Sequence, residues 1–246
     1  MLLQDILYSQ GFGTRRVCAG LIQQGKVTVG GTEVRDPLAP FAVTDLHFTV
    51  GGQPWTYREK AYIALNKPLG TECSRRPSAW PGIHTLLPDP LRLRPVKGGM
   101  PGVQAVGRLD QDTTGLLLLS DDGQFLHRMT SPRHHVPKVY RVTTRHALDA
   151  VQVDALLAGV VLDDDPAPVR AHACQILEPH VLSLTLTEGR YHQVKRMLAA
   201  VHNRVDALQR TAIGGLQLPS DLAEGAWCWL EASQLRLLGW PSGSVR

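Results

Sequence analysis

The sequence has no long apolar run, and its cysteines are few and scattered. No stretch approaches the ~20 apolar residues of a membrane-spanning helix, and we expect no signal peptide because the first residues lack a basic leader and an apolar core. The four cysteines include no Cys-x-x-Cys pair, and no histidine and cysteine set has metal-ligand spacing. We therefore predict no metal site and no disulfide framework, as is typical of a cytoplasmic protein.

Acidic residues are absent from Gly123 to Leu148, although this stretch carries five basic residues. A second stretch, from Arg190 to Arg210, holds five basic residues against Asp206 alone. The net charge is only +4, so the charges are segregated rather than in large excess. Such segregation predicts a face that binds a polyanion.

The order of the expected elements points to an α+β fold. The chain of 246 residues is long enough for a large domain and a small one. Helical and extended patterns follow each other without regular β-α-β alternation, which favours a mostly antiparallel sheet with flanking helices. The tail from Pro241 is expected to be loose.

The first 58 residues have the pattern of a separate small module. Two short amphipathic helices are separated by Gly11-Phe12-Gly13, and a hairpin turns at Gly30-Gly31. One more strand is expected between Asp36 and Trp55. The pattern resembles the alpha-L RNA-binding motif. That resemblance implies contacts to RNA phosphates from three residues, Arg15, Arg16 and Lys26.

A polar loop stands between two apolar segments in the middle of the chain. It contains Asp110 and Asp112 and leads into four leucines, residues 116–119, which predict a buried strand. Loops held by strands often carry reactive groups. The alternative interpretation is a polar loop in which the two aspartates only form Asx turns.

Four segments along the chain together resemble the ribosomal-RNA pseudouridine synthases, in the branch that modifies small-subunit rRNA. The matching segments are residues 65–70, 108–123, 138–142 and 188–197, with a weaker match at 210–215. The resemblance implies an enzyme that isomerises a uridine to pseudouridine in rRNA without a cofactor. It divides the chain into an alpha-L RNA-binding module, 1–58, and a pseudouridine synthase domain, 59–240.

The resemblance also implies roles for individual residues. Asp110 matches the nucleophile, Tyr140 the aromatic residue beside the target base, and Lys195 the cationic partner of the nucleophile, with Arg196 as the competing choice. Substrate binding is implied for five residues: Arg108, Arg196, Lys67, Arg133 and Lys138. The implied partner is rRNA or a subunit assembly intermediate, bound by a monomer.

This interpretation makes geometric predictions. Asp110, Tyr140 and Lys195 are expected to converge at one cleft, with Arg108 at its mouth. A helix over residues 191–201 is expected to turn Tyr191 inward and to hold the two adjacent cations at one edge. The small module is expected to sit apart on a linker near residues 55–60, because its apolar residues suffice for a core of its own.

Three alternatives remain open from the sequence. The first is a target in large-subunit (23S) rRNA, since the synthases that modify it share the same motifs. The Asp-x-Asp-x-Thr pattern from Asp110 to Thr114 also fits magnesium-dependent phosphatases of the haloacid dehalogenase type, although these carry an apolar strand before the first aspartate. The third alternative is an RNA-binding protein without catalytic activity.

Overall fold

The computed structural model describes residues 1–163 and 165–241. Its α-helices are α1 Leu3–Gln10, α2 Arg15–Gln23, α3 Asp89–Leu93, α4 Gly123–Thr130, α5 Ala150–Ala158, α6 Gln193–Ala200 and α7 Ala232–Leu237. Its strands are β1 Val27–Val29, β2 Thr32–Glu33, β3 His47–Val50, β4 Gln53–Thr56, β5 Tyr62–Lys67, β6 Gln104–Ala105, β7 Thr113–Ser120, β8 Lys138–Thr144, β9 Val160–Leu162, β10 Asp165–Val169, β11 Ala173–Glu178, β12 Val181–Leu186, β13 Val205–Ile213, β14 Leu216–Gln217 and β15 Trp227–Trp229. None of the helices in the described ranges is long and apolar enough to cross a membrane.

Residues 1–57, called the module below, fold around a core of their own. Helix α2 begins where the Thr14 hydroxyl accepts a hydrogen bond from the backbone N–H of Val17 at 3.3 Å, which caps the helix. The strands form a sheet in the order β2-β1-β3-β4. The prediction of a single strand between residues 36 and 55 was wrong, because Gly51-Gly52 allows the chain to fold back and adds β4 as a second strand.

Most strands of the large domain form one large sheet, while β9 and β10 pair with each other in a separate two-stranded sheet. The strand order of the large sheet is β11-β12-β8-β13-β7-β5-β15, with β14 paired to β13 and β6 paired to β7. All of these pairs are antiparallel except β13 with β7, so the prediction of a mostly antiparallel sheet is confirmed. Strand β7 lies inside the sheet between β13 and β5, and its four leucines, residues 116–119, are fully buried, two on each face of the sheet.

Several elements were not predicted from the sequence. Strands β9, β10 and β11 occupy a stretch whose prolines, Pro166 and Pro168, interrupt any alternation of apolar residues. Helices α3 and α7 are only five and six residues long, which is too short for a helical period to show. Of the tail predicted to be loose, only Pro241 lies among the described residues.

The module packs against the large domain, so the prediction that it sits apart was wrong. Arg94 lies at the junction with only 1% of its surface exposed. Its guanidinium donates to Gln10 Oε1 at 3.0 Å and pairs with Asp121 at 2.7 Å. The ring of Trp55 meets that of Trp229 edge-on, with centroids 5.8 Å apart. A buried cation needs acceptors around it, and here the module and the large domain both supply them.

Candidate active site

The loop that carries Asp110 is held at several points. Leu109 is buried, and its backbone N–H donates to the Cys73 sulfur at 3.4 Å. The N–H of Thr113 donates back to the Asp110 carbonyl at 3.1 Å, which closes a turn at the start of β7. The N–H of Gly70 donates to the Gln111 carbonyl at 2.8 Å. These contacts fix the backbone and leave the Asp110 carboxylate, one-third exposed, free to face a cavity.

Helix α6 brings Lys195 to this loop. The Lys195 ammonium lies 3.2 Å from Asp110 Oδ2 and 2.6 Å from Asp112 Oδ1, so one cation bridges both carboxylates. The neighbouring guanidinium of Arg196 donates to the Tyr191 carbonyl at 3.1 Å. The pairing that the sequence left open is therefore with Lys195.

The charge of Lys195 is stabilised by this arrangement. Partial burial lowers the pKa of Lys195, but the hydrogen bonds to Asp112 and Asp110 and their negative charges outweigh it and raise the pKa above its ordinary value. The ammonium therefore stays protonated at neutral pH. A fixed positive charge beside Asp110 pairs with that carboxylate and orients it.

A cavity of about 370 Å³ opens beside the carboxylates and is called the Asp110 cavity below. Its walls include Asp110, Lys195 and Tyr140, which lies on β8, so the predicted convergence of these three residues is confirmed. Arg108 also borders the cavity and is exposed to solvent. The volume falls in the range typical of small-molecule sites.

Three of the predicted substrate-binding residues, Lys67, Arg133 and Arg196, are not in the walls of the Asp110 cavity. Lys67 is fully buried, and its ammonium donates to the carbonyls of Pro68 at 3.1 Å and Thr113 at 2.9 Å. It is absent from the walls of the Asp110 cavity because β5 lies within the sheet, covered on both faces. Arg133 is exposed on a short 3-10 turn beside the cavity, while its neighbour Pro132 forms part of the wall.

Lys138, the remaining predicted substrate-binding residue, does line the Asp110 cavity. It begins β8 and is partly buried. Burial lowers the pKa of Lys138, and the nearby charge of Arg210 lowers it further. The wall of the cavity thus contains two cations close to each other, Lys138 and Arg210.

The three cations predicted for the module differ in their surroundings. Arg16 and Lys26 are exposed. Arg15 is also exposed, but it pairs with Asp5 at 2.8 Å and its guanidinium lies over the Tyr8 ring at 4.2 Å from the centroid. Both neighbours hold the Arg15 side chain in one orientation on the module surface.

Helix α6 differs from the prediction at its first turn. It begins at Gln193, and Tyr191, expected to face inward, is 72% exposed and stacks on the ring of His192 at 3.8 Å. His192 adopts a left-handed backbone with φ of 49°, which turns the preceding residue away from the core.

Two residues of the Asp110 cavity were not predicted. His192 Nε2 lies 3.6 Å from Asp110 Oδ2. Arg210 lines the cavity although only 4% of it is exposed. Both stand inside segments that match the synthases, but nothing local distinguishes them from surface residues, since only the long-range pairing of strands brings them to the cavity.

Comparison with known proteins agrees with this geometry. Residues 61–200 match the family described as RNA pseudouridylate synthase, and residues 1–38 match the S4 domain. The chain belongs to the RNA pseudouridine synthase family. The enzyme therefore does not belong with the Asp-x-Asp-x-Thr phosphatases, the alternative that the spacing of the two aspartates had left open.

Similar proteins cover almost the whole enzyme. Ribosomal small subunit pseudouridine synthase A of Yersinia pestis is 42% identical over 96% of this chain and 98% of its own. The protein of that name in Escherichia coli (strain K12) is 38% identical over 91% of this chain and 94% of its own. A crystal structure of a pseudouridylate synthase is 34% identical, with a TM-score of 0.67, and covers 97% of this chain and 99% of that chain.

Proposed function

We propose that the enzyme isomerises one specific uridine to pseudouridine in small-subunit (16S) rRNA, with Asp110 as the nucleophile. The observation that carries the proposal is the Asp110 carboxylate, paired with Lys195 at 3.2 Å and facing a cavity walled by Tyr140. The substrate is taken from the two relatives named for the small ribosomal subunit, which match this chain over at least 91% of its length.

The chemistry follows from the residues around the cavity. A uridine inside folded RNA reaches the Asp110 carboxylate in its cavity only by leaving its stack, and an aromatic ring such as Tyr140 receives the flipped base. Asp110 then attacks the nucleotide, and Lys195 holds the carboxylate in position through their ion pair. Arg108, exposed at the cavity mouth, contacts a phosphate of the flipped nucleotide or fills the gap it leaves.

The rest of the RNA is held by charge. Arg133, Lys138 and Arg196 lie on or near the segments that form the cavity and bind the nucleotides around the target. In the module, Arg15, Arg16 and Lys26 bind phosphates without reading the sequence. The enzyme acts in the cytoplasm as a monomer, on rRNA or on a subunit assembly intermediate.

The proposal is tested with unmodified 16S and 23S rRNA transcripts, each folded in advance and offered to the purified protein. We expect pseudouridine at a single position of 16S rRNA, mapped by base-specific chemical modification and reverse transcription. The reaction is expected to continue when EDTA is added to the folded RNA. Pseudouridine formed only in 23S rRNA would refute the assignment of 16S rRNA as the substrate. A requirement for metal with folded RNA would refute the proposed mechanism.

A further inference from the structure

Arg210 is a cation buried in the wall of the Asp110 cavity with hydrogen-bonding capacity left over. Only 4% of the residue is exposed, and its Nε donates to the Leu116 carbonyl at 2.7 Å. Its Nη2 atom is buried and has no hydrogen-bond partner among the described residues. Within that part of the chain Arg210 also forms no ion pair.

A buried guanidinium of this kind destabilises the protein unless hydrogen-bond acceptors satisfy its N–H groups. A donor left unsatisfied in a protein interior costs about 1–3 kcal/mol, and more when it is charged. Among the described residues, Arg210 has one carbonyl as its acceptor, and it lies near a second cation, Lys138. The missing acceptor is therefore expected to come from the substrate that enters the cavity.

The sheet places Arg210 beside the expected position of the base. Arg210 lies directly opposite Tyr140 in the antiparallel pairing of β13 with β8. Residues directly opposite each other in such a pair point to the same face, with Cβ atoms about 5 Å apart. A base against the Tyr140 ring therefore has its edge within reach of the guanidinium.

We propose that Arg210 donates a hydrogen bond to a keto oxygen of the target uracil and holds the base in the cavity during the reaction. The oxygen of a base fits this position better than a phosphate does, because Arg210 is buried while Arg108 is exposed at the mouth. The proposal rests on the proposed function, since it concerns the base that this activity converts.

The contact serves a step that the isomerisation requires. The bond from C1′ of the ribose to N1 of uracil breaks, and a bond from C1′ to C5 forms. The proton that C5 gives up is balanced by the proton that N1 gains, so no atom enters or leaves. When the first bond breaks heterolytically, the base keeps the electron pair and becomes anionic, and Arg210 stabilises that charge without giving up a proton.

The test combines changes in the protein with single-atom changes in the RNA. Once the target position is mapped, 16S rRNA fragments are made with 2-thiouridine or 4-thiouridine there, since sulfur accepts hydrogen bonds more weakly than oxygen. For the wild type we expect one of the two substitutions to slow the single-turnover rate about tenfold, the effect of weakening one charge-assisted hydrogen bond. For Arg210→Met we expect a slow reaction in which that thio effect has disappeared.

Two further variants separate substrate contact from folding. Arg210→Lys keeps the charge and replaces Arg210→Met if the latter does not fold; we expect it to be slow, with a reduced thio effect. Arg141→Met is the matched control, because Arg141 neighbours Tyr140 on β8 but pairs with Glu178 at 2.7 Å in an exposed position. It is expected to keep the rate and the thio effect of the wild type.

Several results would overturn this contact. They are an Arg210→Met variant as fast as the wild type, a thio effect that is unchanged in a slow Arg210 variant, and a wild type that is insensitive to both sulfurs. The second and third of these results would indicate that Arg210 has a structural role or contacts a phosphate instead of the base. A wild type that forms no pseudouridine in unmodified 16S rRNA would instead refute the proposed function itself.

Discussion

Lys195 and Lys67 both carry their charge close to the Asp110 loop, but their surroundings give them different roles. Lys195 is partly exposed and bridges two carboxylates. Lys67 is fully buried, and its ammonium joins two backbone carbonyls, that of Pro68 and that of Thr113 at the start of β7. Lys67 therefore stabilises the frame of the active site rather than the RNA.

The substitution Lys67→Gln tests this role. It leaves buried carbonyl groups without a full set of donors, so we expect a loss of about 1–3 kcal/mol in the free energy of unfolding, measured in urea. The salt dependence of RNA binding is expected to be that of the wild type, because no phosphate contact is lost. A weaker salt dependence at unchanged stability would contradict the role.

The same substitution has a pH signature. Burial lowers the pKa of Lys67, so the folded protein holds this proton less tightly than the unfolded chain does. Between the lowered folded pKa and the unfolded value of about 10.4, unfolding takes up a proton, and the stability contributed by this group rises with pH. In the Lys67→Gln variant, the free energy of unfolding should rise less with pH over this range than in the wild type.

At the scale of elements, the active site depends on the parallel pairing of β7 with β13. Gly115 lies opposite Arg210 in this pair and has φ of 100°, a conformation that residues with a Cβ rarely adopt. A Cβ at this position would clash with the backbone carbonyl and N–H of Arg210. The absence of a side chain therefore sets the approach of the two strands.

The substitution Gly115→Ala is expected to lower the free energy of unfolding by roughly 2–4 kcal/mol, because backbone strain adds to the clash. Gly123→Ala is the matched control. Gly123 begins α4, and a Cβ there would meet no atom within 4 Å, so we expect a change within about 0.5 kcal/mol. Equal effects of the two substitutions in urea denaturation would refute the role of Gly115.

The elements show which parts of the structure the sequence could predict. Leucines 116–119 indicate a buried strand because the apolar run and its flanking polar residues are local features. The conformation of Gly115 and the burial of Arg210 and Lys67 are not local, since they follow from which strands become neighbours. The residues Asp110, Tyr140 and Lys195 could be predicted to meet only because their segments resemble a known family.

At the scale of the whole molecule, Arg94 connects the module to the large domain. Besides Gln10 and Asp121, its guanidinium donates to the carbonyls of Arg58 at 2.7 Å and Glu59 at 3.1 Å, in the connection between the two sheets. The sequence does not reveal this junction, because the module has a complete apolar core and Arg94 is far away in the chain.

The substitution Arg94→Met is expected to lower the free energy of unfolding by about 3–5 kcal/mol, because it leaves Asp121 as an unpaired buried charge. Trypsin is expected to cleave the variant faster after Lys60, as the connection loosens. Arg92→Met serves as the control, since Arg92 pairs with Asp89 in an exposed position where the effect should stay within about 1 kcal/mol. Wild-type stability and cleavage in Arg94→Met would show that the junction does not hold the two parts together.

The role of Asp110 as the nucleophile is tested most directly by single-turnover formation of pseudouridine in 16S rRNA with purified Asp110→Asn and Asp112→Asn. Both substitutions keep the size of the side chain, and both remove a carboxylate bonded to Lys195. We expect Asp110→Asn to bind the RNA but to lose activity by roughly 10⁴-fold or more, and Asp112→Asn to remain active at a reduced rate. Turnover by Asp110→Asn at a rate comparable to that of Asp112→Asn would contradict the assignment of Asp110.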